Sequence, residues 1–294
     1  MRAIAPDASL SDVSMLQGGV SATTLRLDLR RASDDPLELA VRMHGDVDLE
    51  RNPHVATMEF ALLGALIDAG IPVPRPVYLD QHAEYLDRPG IVTEFVEGRI
   101  SPATADPLPI AAKMAELLWR IHQVELPSHV RLLLPDADER TDSLMRSRSG
   151  TRDREMSEAR ILDALNHHWI SNSGGEAAVV HGDYWPGNVI WRDGEIAAVI
   201  DWEDAGTGNP LNDVANCRLE ILWMYGMDPA REFTEQYAAA AGTLDRRALA
   251  LWDLMAALRP AGKIGAWGLD PLTEQRMRER HRHFVERAVR QLEM

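Results

Sequence analysis

Two short stretches in the first hundred residues alternate strictly between apolar and polar positions. Leucines recur at every second residue from Thr24 to Leu29, and the same alternation returns from Leu37 to Met43. A period of two is typical of strands with one buried face, so both stretches are predicted to be β-strands. The apolar run Gly90–Val96 is predicted to be another strand.

Helical spacing replaces this alternation elsewhere. Apolar residues recur at intervals of three and four from Pro53 to Ala69, and Gly70 supplies a stop signal. Beyond Pro102 the same spacing dominates and first predicts a long helix over 103–124. The other predicted elements are a helix at 154–169, short buried strands at 179–180 and 197–200, and three or four helices within 212–294.

The polar segment Pro135–Asp153, rich in Ser, Arg and Asp, has no clear periodicity and is predicted to be a mobile loop. Together these patterns predict an α+β chain. A small β-rich lobe, residues 1–98, is followed by a larger, mostly helical lobe, residues 99–294.

Composition narrows the class of protein. The chain has 294 residues, of which 45% are hydrophobic and 26% charged, and these fractions exclude a disordered chain. The formal net charge of −15 argues against nucleic acid or an anionic membrane surface as a partner. Asp7 and Asp12 stand where a secretory signal needs apolar residues, and the single cysteine, Cys217, forms no internal disulfide. We therefore expect a soluble, cytoplasmic protein.

The strongest chemical signal is the segment HGDYWPGN, His181–Asn188, followed by a predicted strand that ends at Asp201. Transfer of a phosphoryl group to a hydroxyl needs a carboxylate to take the hydroxyl proton and oxygen ligands to hold magnesium. Asp183 fits the catalytic carboxylate, while Asn188 and Asp201 fit the metal ligands. A turn-rich connection without chemistry is the alternative, because Asp and Asn are common in turns.

With these motifs, the chain resembles the aminoglycoside phosphotransferase and choline-kinase-like group of small-molecule kinases. The resemblance covers nearly the whole length and includes the HGDYWPGN loop, the IDWED segment at 200–204, and Gly208-Asn209-Pro210 before Asp213. It implies a bilobal protein-kinase-like fold, ATP or GTP as phosphate donor, and Mg²⁺ as cofactor. It also implies that Asp213 supports the catalytic loop rather than taking part in the chemistry.

The resemblance further implies a nucleotide site in the first lobe. Gly18, Gly19 and Ser21 would form the loop over the phosphates. Glu94 and Val96 would present backbone groups to the adenine at the hinge between the lobes.

Arginine at position 42 departs from the family pattern, because kinases usually hold the phosphates with a lysine at this strand position. The chain has only two lysines, Lys113 and Lys263. A guanidinium also binds phosphate and pairs with carboxylates, although its fork is bulkier and aimed differently. The resemblance implies that Arg42 is the phosphate-binding cation and Glu59 its ion-pair partner. A solvated strand arginine and an ordinary surface glutamate are the alternatives.

The acceptor is expected to be recognised by the helical lobe. Acidic residues, among them Glu203, Asp204 and Glu220, would suit a cationic hydroxylated acceptor such as an aminoglycoside or an amino alcohol. Macrolide, sugar and homoserine-like acceptors stay open. Several aromatic residues would either pack in the core or offer rings to a quaternary ammonium: Trp191, Trp202, Trp223, Tyr225 and Trp267.

The leading hypothesis is an ATP- and Mg²⁺-dependent O-phosphotransferase that acts on a small-molecule hydroxyl. A catalytically weak, pseudokinase-like nucleotide sensor or partner-binding protein is the main alternative, and Arg42 is the feature that favours it. Hydrolysis of ATP, or action on an already phosphorylated metabolite, is a third possibility. Walker, dinucleotide-binding and zinc signatures are absent from the sequence. The sequence leaves the oligomeric state open.

Overall fold

The computed structural model describes residues 4, 6–16, 22–31, 36–100, 106–148, 153–169 and 177–293. Its contacts divide the chain into two compact units. The first unit comprises residues 1–100, 125–134 and 189–203, and the second comprises residues 101–124, 135–188 and 204–294. The predicted division into domains 1–98 and 99–294 stays a prediction.

A five-stranded antiparallel sheet with the order β1-β2-β3-β5-β4 forms the framework of the first unit. Leu25 pairs with Val41 and Leu27 with Leu39, so the alternating stretches predicted as strands are neighbours in the sheet. The first strand was not predicted, because it lies at the sheet edge and nearly all its residues are exposed. The strands are β1 (Ala8–Met15), β2 (Ala22–Arg31), β3 (Pro36–His44), β4 (Pro76–Asp80) and β5 (Gly90–Glu94).

Further elements complete the first unit. A hairpin of β7 (Val189–Arg192) and β8 (Glu195–Val199) is hydrogen-bonded to the rest of the unit, since the Val199 N–H donates to the Pro72 carbonyl at 2.8 Å. Its helices are α1 (Asp46–Arg51), α2 (Val55–Asp68) and α4 (Ser128–Arg131). The buried apolar side chains of the sheet and of α2 include Leu29, Leu39, Val41, Val92, Met58, Leu62 and Leu66.

The second unit is mostly helical. Two short strands, β6 (Ala178–Val180) and β9 (Gly206–Gly208), pair antiparallel and flank the HGDYWPGN segment and the IDWED segment in sequence. Within the described residues, four helices follow β9, which agrees with the predicted number. The helices of this unit are α3 (Leu108–His122), α5 (Ala137–Ser147), α6 (Glu158–His168), α7 (Leu211–Tyr225), α8 (Met227–Ala241), α9 (Arg246–Leu258) and α10 (Pro271–Glu293).

The prediction of a mobile loop over Pro135–Asp153 was wrong, because helix α5 occupies most of that segment. The Asp136 side chain caps the helix by accepting hydrogen bonds from the N–H groups of Asp138 and Glu139, at 2.9 and 3.0 Å. Only a narrow face is buried, so the polar composition concealed the helical period.

The antiparallel sheet and the helical remainder confirm the predicted α+β fold class. Within the part of the chain that the structure describes, no helix combines the length and apolar character needed to cross a bilayer.

Candidate functional site

A cavity of about 140 Å³ in the first unit gathers most of the residues predicted to bind nucleotide. Arg42, Glu59, Glu94, Val96 and Asp201 all line it. Apolar side chains complete the wall, among them Leu16, Ala40, Leu63, Ile91, Ile190 and Ile200. Apolar walls with a few charged groups are typical of a site that binds a small molecule. Gly18, Gly19 and Ser21 lie outside the described residues.

Arg42 is the centre of the charged cluster. Its Nη2 atom donates hydrogen bonds to Asp201 Oδ1 and Glu203 Oε2, and its Nε atom lies 3.6 Å from Glu59 Oε2. The Arg42 side chain is 16% exposed, so it is not the solvated strand residue of the alternative interpretation. The pair that the resemblance implied, Arg42 with Glu59, is therefore present, together with two further carboxylates.

The mutual pairing keeps these groups charged in a largely buried setting. Burial opposes the charge of Arg42, yet Glu59, Asp201 and Glu203 together raise the pKa of its guanidinium above the usual value. Burial likewise works to raise the pKa of Glu59, but Arg42 and His44 outweigh it and lower that pKa. The cavity thus holds one cation among several carboxylates.

Asp201 has a left-handed backbone, with φ of +73°. This conformation is uncommon for residues other than glycine, although Asp and Asn tolerate it better than most. The following Trp202 is fully buried, and its Nε1 donates to the Val199 carbonyl at 3.0 Å. The Asp201 carboxylate is held toward the cavity by the buried side chain of Trp202 and by its ion pair with Arg42.

Glu94 is one of the strand residues that line the cavity. Its N–H already donates to the Arg75 carbonyl at 2.9 Å and is therefore engaged within the protein. The side chain of Val96 is half-buried and lies on the same wall.

Another group in this unit has ligand atoms suited to a metal. His44, Asp48 and Glu203 each place one such atom within 4.8 Å of the others. Mg²⁺ prefers oxygen ligands and water to an imidazole, so this group is not the magnesium site expected from the sequence.

The HGDYWPGN segment lies in the second unit and forms the loop after β6. Asn188 donates from Nδ2 to the Asp183 carbonyl at 2.9 Å and to its Oδ2 at 3.3 Å. Its amide oxygen is therefore the side-chain atom that a metal would use. The hydroxyl of the buried Tyr184 donates to the Met114 carbonyl of α3 at 3.0 Å, which anchors the middle of the loop.

Asp213, at the start of α7, holds the beginning of this loop. Its carboxylate accepts the backbone N–H groups of His181 and Gly182 at 2.6 and 2.8 Å. Oδ2 also lies 3.3 Å from His122 Nε2, and His122 Nδ1 lies 2.7 Å from the Tyr237 hydroxyl. This geometry agrees with the supporting role that the resemblance implied for Asp213.

Two further residues, Asn216 and Arg259, also hold the HGDYWPGN loop in place. Asn216, one turn after Asp213, places Nδ2 3.5 Å from Asp183 Oδ1. Arg259, at the end of α9, donates from Nη1 to the Gly182 carbonyl at 3.0 Å and to Asn216 Oδ1 at 3.1 Å. The sequence did not indicate either residue, because their contacts join segments more than thirty residues apart.

Two of the acidic residues expected to bind the acceptor form ion pairs with arginines of this chain. Glu203 pairs with Arg42, and Asp204 Oδ1 accepts from Arg140 Nη1 at 3.0 Å. Glu220, half-buried on the face of α7 that carries Asp213 and Asn216, interacts electrostatically with Asp183 and Arg259. Of the aromatic residues proposed for a cation cage, Trp191, Trp202 and Trp223 are buried, whereas Trp267 is 45% exposed.

Glycine at position 182 is required by the loop geometry. Its φ is +83°, and a Cβ added there would lie 2.1 Å from the Asp204 carbonyl oxygen. Gly242 has a similar φ of +74° but nothing within 4 Å of its added Cβ. We expect Gly242→Ala to cost about 1–2 kcal/mol, the price of the left-handed conformation alone, and Gly182→Ala to cost clearly more.

Urea unfolding of both variants measures this difference, and circular dichroism at zero denaturant shows whether each variant is folded. Equal losses in the two variants would show that the backbone at Gly182 has room to move away from Asp204.

The pKa of Glu220 predicts how stability changes with pH. Burial first, and the Asp183 charge second, raise it to about 8, against the partly compensating Arg259. A carboxyl whose folded-state pKa is raised binds more protons when folded, so stability falls as the pH rises from about 4.5 to about 8. We expect Glu220→Gln to gain stability over the native chain at pH 8 and to match it near pH 5.

Melting temperatures of the native chain, Glu220→Gln and Glu116→Gln, taken across this pH range, test the prediction. Glu116 is an exposed residue of α3, so its variant should follow the native chain at every pH. A Glu220→Gln curve parallel to the native one would contradict the raised pKa.

Comparison with known proteins identifies a family and several relatives of this chain. Residues 12–252 match the model of the Phosphotransferase enzyme family, APH. Acyl-CoA dehydrogenase family member 11 from Gallus gallus is 29% identical over 191 residues, which are 58% of this chain and 24% of that protein. Family member 10 from Mus musculus is 27% identical over 220 residues, which are 70% of this chain and 20% of that protein. The chain thus spans about a quarter or less of the length of these curated relatives.

Solved structures share the fold at low sequence identity. Spectinomycin phosphotransferase APH(9)-Ia, in complex with ADP and spectinomycin, aligns with a TM-score of 0.61 at 16% identity, covering 97% of this chain and 94% of that one. A thermostable mutant of aminoglycoside phosphotransferase APH(4)-Ia, in complex with AMP-PNP and hygromycin B, gives 0.63 at 17% identity, covering 95% and 94%. The family match extends over most of the chain, from the first strand to helix α9, and on this ground the chain belongs to the Phosphotransferase enzyme family.

Proposed function

We propose that this protein transfers the γ-phosphate of ATP to a hydroxyl of a small molecule in a Mg²⁺-dependent reaction. One observation carries the proposal most strongly. Arg42, Glu59 and Asp201 line a single cavity in the first unit, as a nucleotide site requires, and Asp183 and Asn188 share one loop in the second. GTP is the alternative donor.

Residue chemistry supports Asn188 and Asp201 as the magnesium ligands. An amide oxygen and a carboxylate are the oxygen ligands that Mg²⁺ accepts, usually together with waters and phosphate oxygens. The Asn188 nitrogen is directed to Asp183, so the amide oxygen is left for a metal. When bound, the metal would neutralise charge on the transferring phosphate. In this assignment Asp201, which is paired with Arg42 in this structure, would hold the metal through its carboxylate.

Arg42 would then bind phosphate oxygens of the nucleotide while Glu59 keeps its side chain in place. A buried guanidinium among carboxylates is already desolvated, so it retains its charge as the anionic ligand enters. The carbonyl of Glu94 and the backbone of Val96 would contact the adenine, and Gly18, Gly19 and Ser21 would cover the phosphates.

Asp183 would act as the proton acceptor. The acceptor oxygen attacks the γ-phosphorus, the bond between that phosphorus and the β–γ bridging oxygen breaks, and ADP leaves. The hydroxyl proton passes to the Asp183 carboxylate. Asn188 and Asn216 orient that carboxylate by hydrogen bonds to its two oxygens, and Asp213 holds the backbone immediately before it.

The acceptor is best sought first among hydroxylated amines. Spectinomycin and hygromycin B are bound by structural relatives, and the curated sequence relatives are named as acyl-CoA dehydrogenase family members. A test panel therefore needs aminoglycosides, amino alcohols, sugars, macrolides and a hydroxylated acyl-CoA.

The test incubates the native chain with Mg²⁺, ATP labelled at the γ-phosphate and each member of this panel. We expect label on one class of acceptor and none with Asp201→Asn. Release of labelled phosphate without any acceptor product would favour ATP hydrolysis. Nucleotide binding without either reaction, unchanged in Asp183→Asn, would favour the nucleotide sensor.

A further inference from the structure

A second cavity, of about 230 Å³, lies among helices α7, α8, α9 and α10 of the second unit. Most of the buried side chains that line it are apolar, whereas three of its exposed lining residues are arginines. The apolar set is Leu222, Leu249, Ala250, Phe284 and Ala288, and the exposed arginines are Arg231, Arg246 and Arg287.

This cavity lies on the opposite side of α7 from the catalytic loop. Asp213 and Asn216 point from α7 to the HGDYWPGN loop. Arg218 and Leu222, which line the cavity, follow Asn216 by two and six residues, and therefore lie about 200° and 240° around the helix from it. The cavity is accordingly separate from the surface that faces Asp183.

One buried ion pair forms part of its wall. Arg218 contacts Asp253 twice, from Nε to Oδ1 and from Nη2 to Oδ2, each at 3.0 Å, and it also donates to the Thr234 hydroxyl. The Asp253 carboxylate is thus neutralised by Arg218 and does not repel an anion from the cavity.

The remaining lining charges favour an anion. The cavity is lined by four arginines and two acids, Glu235 and Asp253, in a chain whose net charge is −15. Arg231 pairs at the surface with Asp228 at 3.0 Å. Arg246 and Arg287 make no side-chain hydrogen bond or ion pair with another residue that the structure describes. Both are close enough to Asp253 to lower its pKa, although burial outweighs them and leaves that pKa raised.

We propose that this cavity binds an amphipathic anion, with its apolar part against Leu249 and Phe284 and its carboxylate or phosphate on Arg246 and Arg287. Guanidinium groups bind both kinds of oxyanion through paired N–H donors. Burial of a short hydrocarbon chain against the apolar side chains is a second source of affinity. The proposal is independent of phosphotransfer.

Titration calorimetry with four eight-carbon ligands tests it: octanoate, octyl phosphate, octanol and octyltrimethylammonium. We expect the native chain to bind the first two and to bind octanol and the ammonium at least about tenfold more weakly. The Arg246→Gln and Arg287→Gln double variant should lose at least tenfold in affinity for both anions.

Arg282→Gln is the matched control, because Arg282 is an exposed arginine of α10 about 140° around the helix from Arg287. It should bind octanoate like the native chain. Absence of octanoate and octyl phosphate binding, equal binding of octanol, or unchanged affinity in the double variant would each overturn the proposal. Circular dichroism spectra and melting curves of each variant show whether the exchange of these surface arginines leaves the fold intact. Preference for one anion over the other would identify the head group.

Discussion

Exchange of Asp183 for asparagine should lower turnover about 100-fold or more while leaving nucleotide affinity unchanged. The variant keeps the size of the side chain but removes the carboxylate that takes the acceptor proton, and general base catalysis contributes about 10²–10⁴-fold. Asp183 is not among the residues that line the cavity with Arg42 and Glu59, so the nucleotide contacts made in that cavity should persist.

Steady-state rates with the acceptor found in the panel, and calorimetry with Mg²⁺ and a non-hydrolysable ATP analogue, separate these two effects. Asp193→Asn is the control, because Asp193 is an exposed residue in the turn between β7 and β8. A collapse of nucleotide affinity would show that Asp183 is structural, and full turnover would exclude it as the base.

Exchange of Asp213 for asparagine should lower the free energy of unfolding by about 1–3 kcal/mol, as expected when a buried hydrogen-bond donor loses its acceptor. Asp213 is fully buried and accepts two backbone N–H groups of the loop as well as contacting His122. The variant replaces an acceptor by an amide whose nitrogen cannot accept, so at least one buried N–H loses its partner.

The pH dependence gives a second test of the same residue. Burial works to raise the pKa of Asp213, but His122 and the His181 backbone lower it below its ordinary value of 3.8. A depressed acid pKa contributes stability that is present above about pH 4 and lost as the pH falls through the folded-state value. The gap in unfolding free energy between the native chain and Asp213→Asn should therefore narrow below pH 4.

Urea unfolding at pH 7 and at pH 3 measures both effects, with Asp228→Asn as the control, because Asp228 is an exposed residue at the start of α8. A stable Asp213→Asn variant at neutral pH would mean that the loop does not depend on this carboxylate.

Local sequence patterns predicted the elements whose two faces differ in environment. Strands β2 and β3 alternate because one face packs in the core, and that alternation is visible in the letters. Strand β1 and helix α5 escaped prediction for the opposite reason. Nearly all of β1 is exposed and α5 buries only a narrow face, so neither carries a strong period.

The residues of the candidate site also differ in how far the sequence could predict them. Asp183 and Asn188 are five residues apart, and their spacing carries the signal within one loop. The contacts of Arg259 with Gly182, and of Glu203 with Arg42, join residues 77 and 161 positions apart. No local pattern encodes such contacts, because they depend on how the helices and the sheet pack.

The central claim is that Asn188 and Asp201 hold one divalent ion for a reaction at Asp183. Anomalous diffraction from crystals grown with Mn²⁺ and a non-hydrolysable ATP analogue tests this claim most directly. The account predicts a manganese peak within bonding distance of the Asn188 amide oxygen and the Asp201 carboxylate, with Arg42 moved to the phosphates. A peak at His44, Asp48 and Glu203 instead, with Asp201 still paired to Arg42, would contradict it.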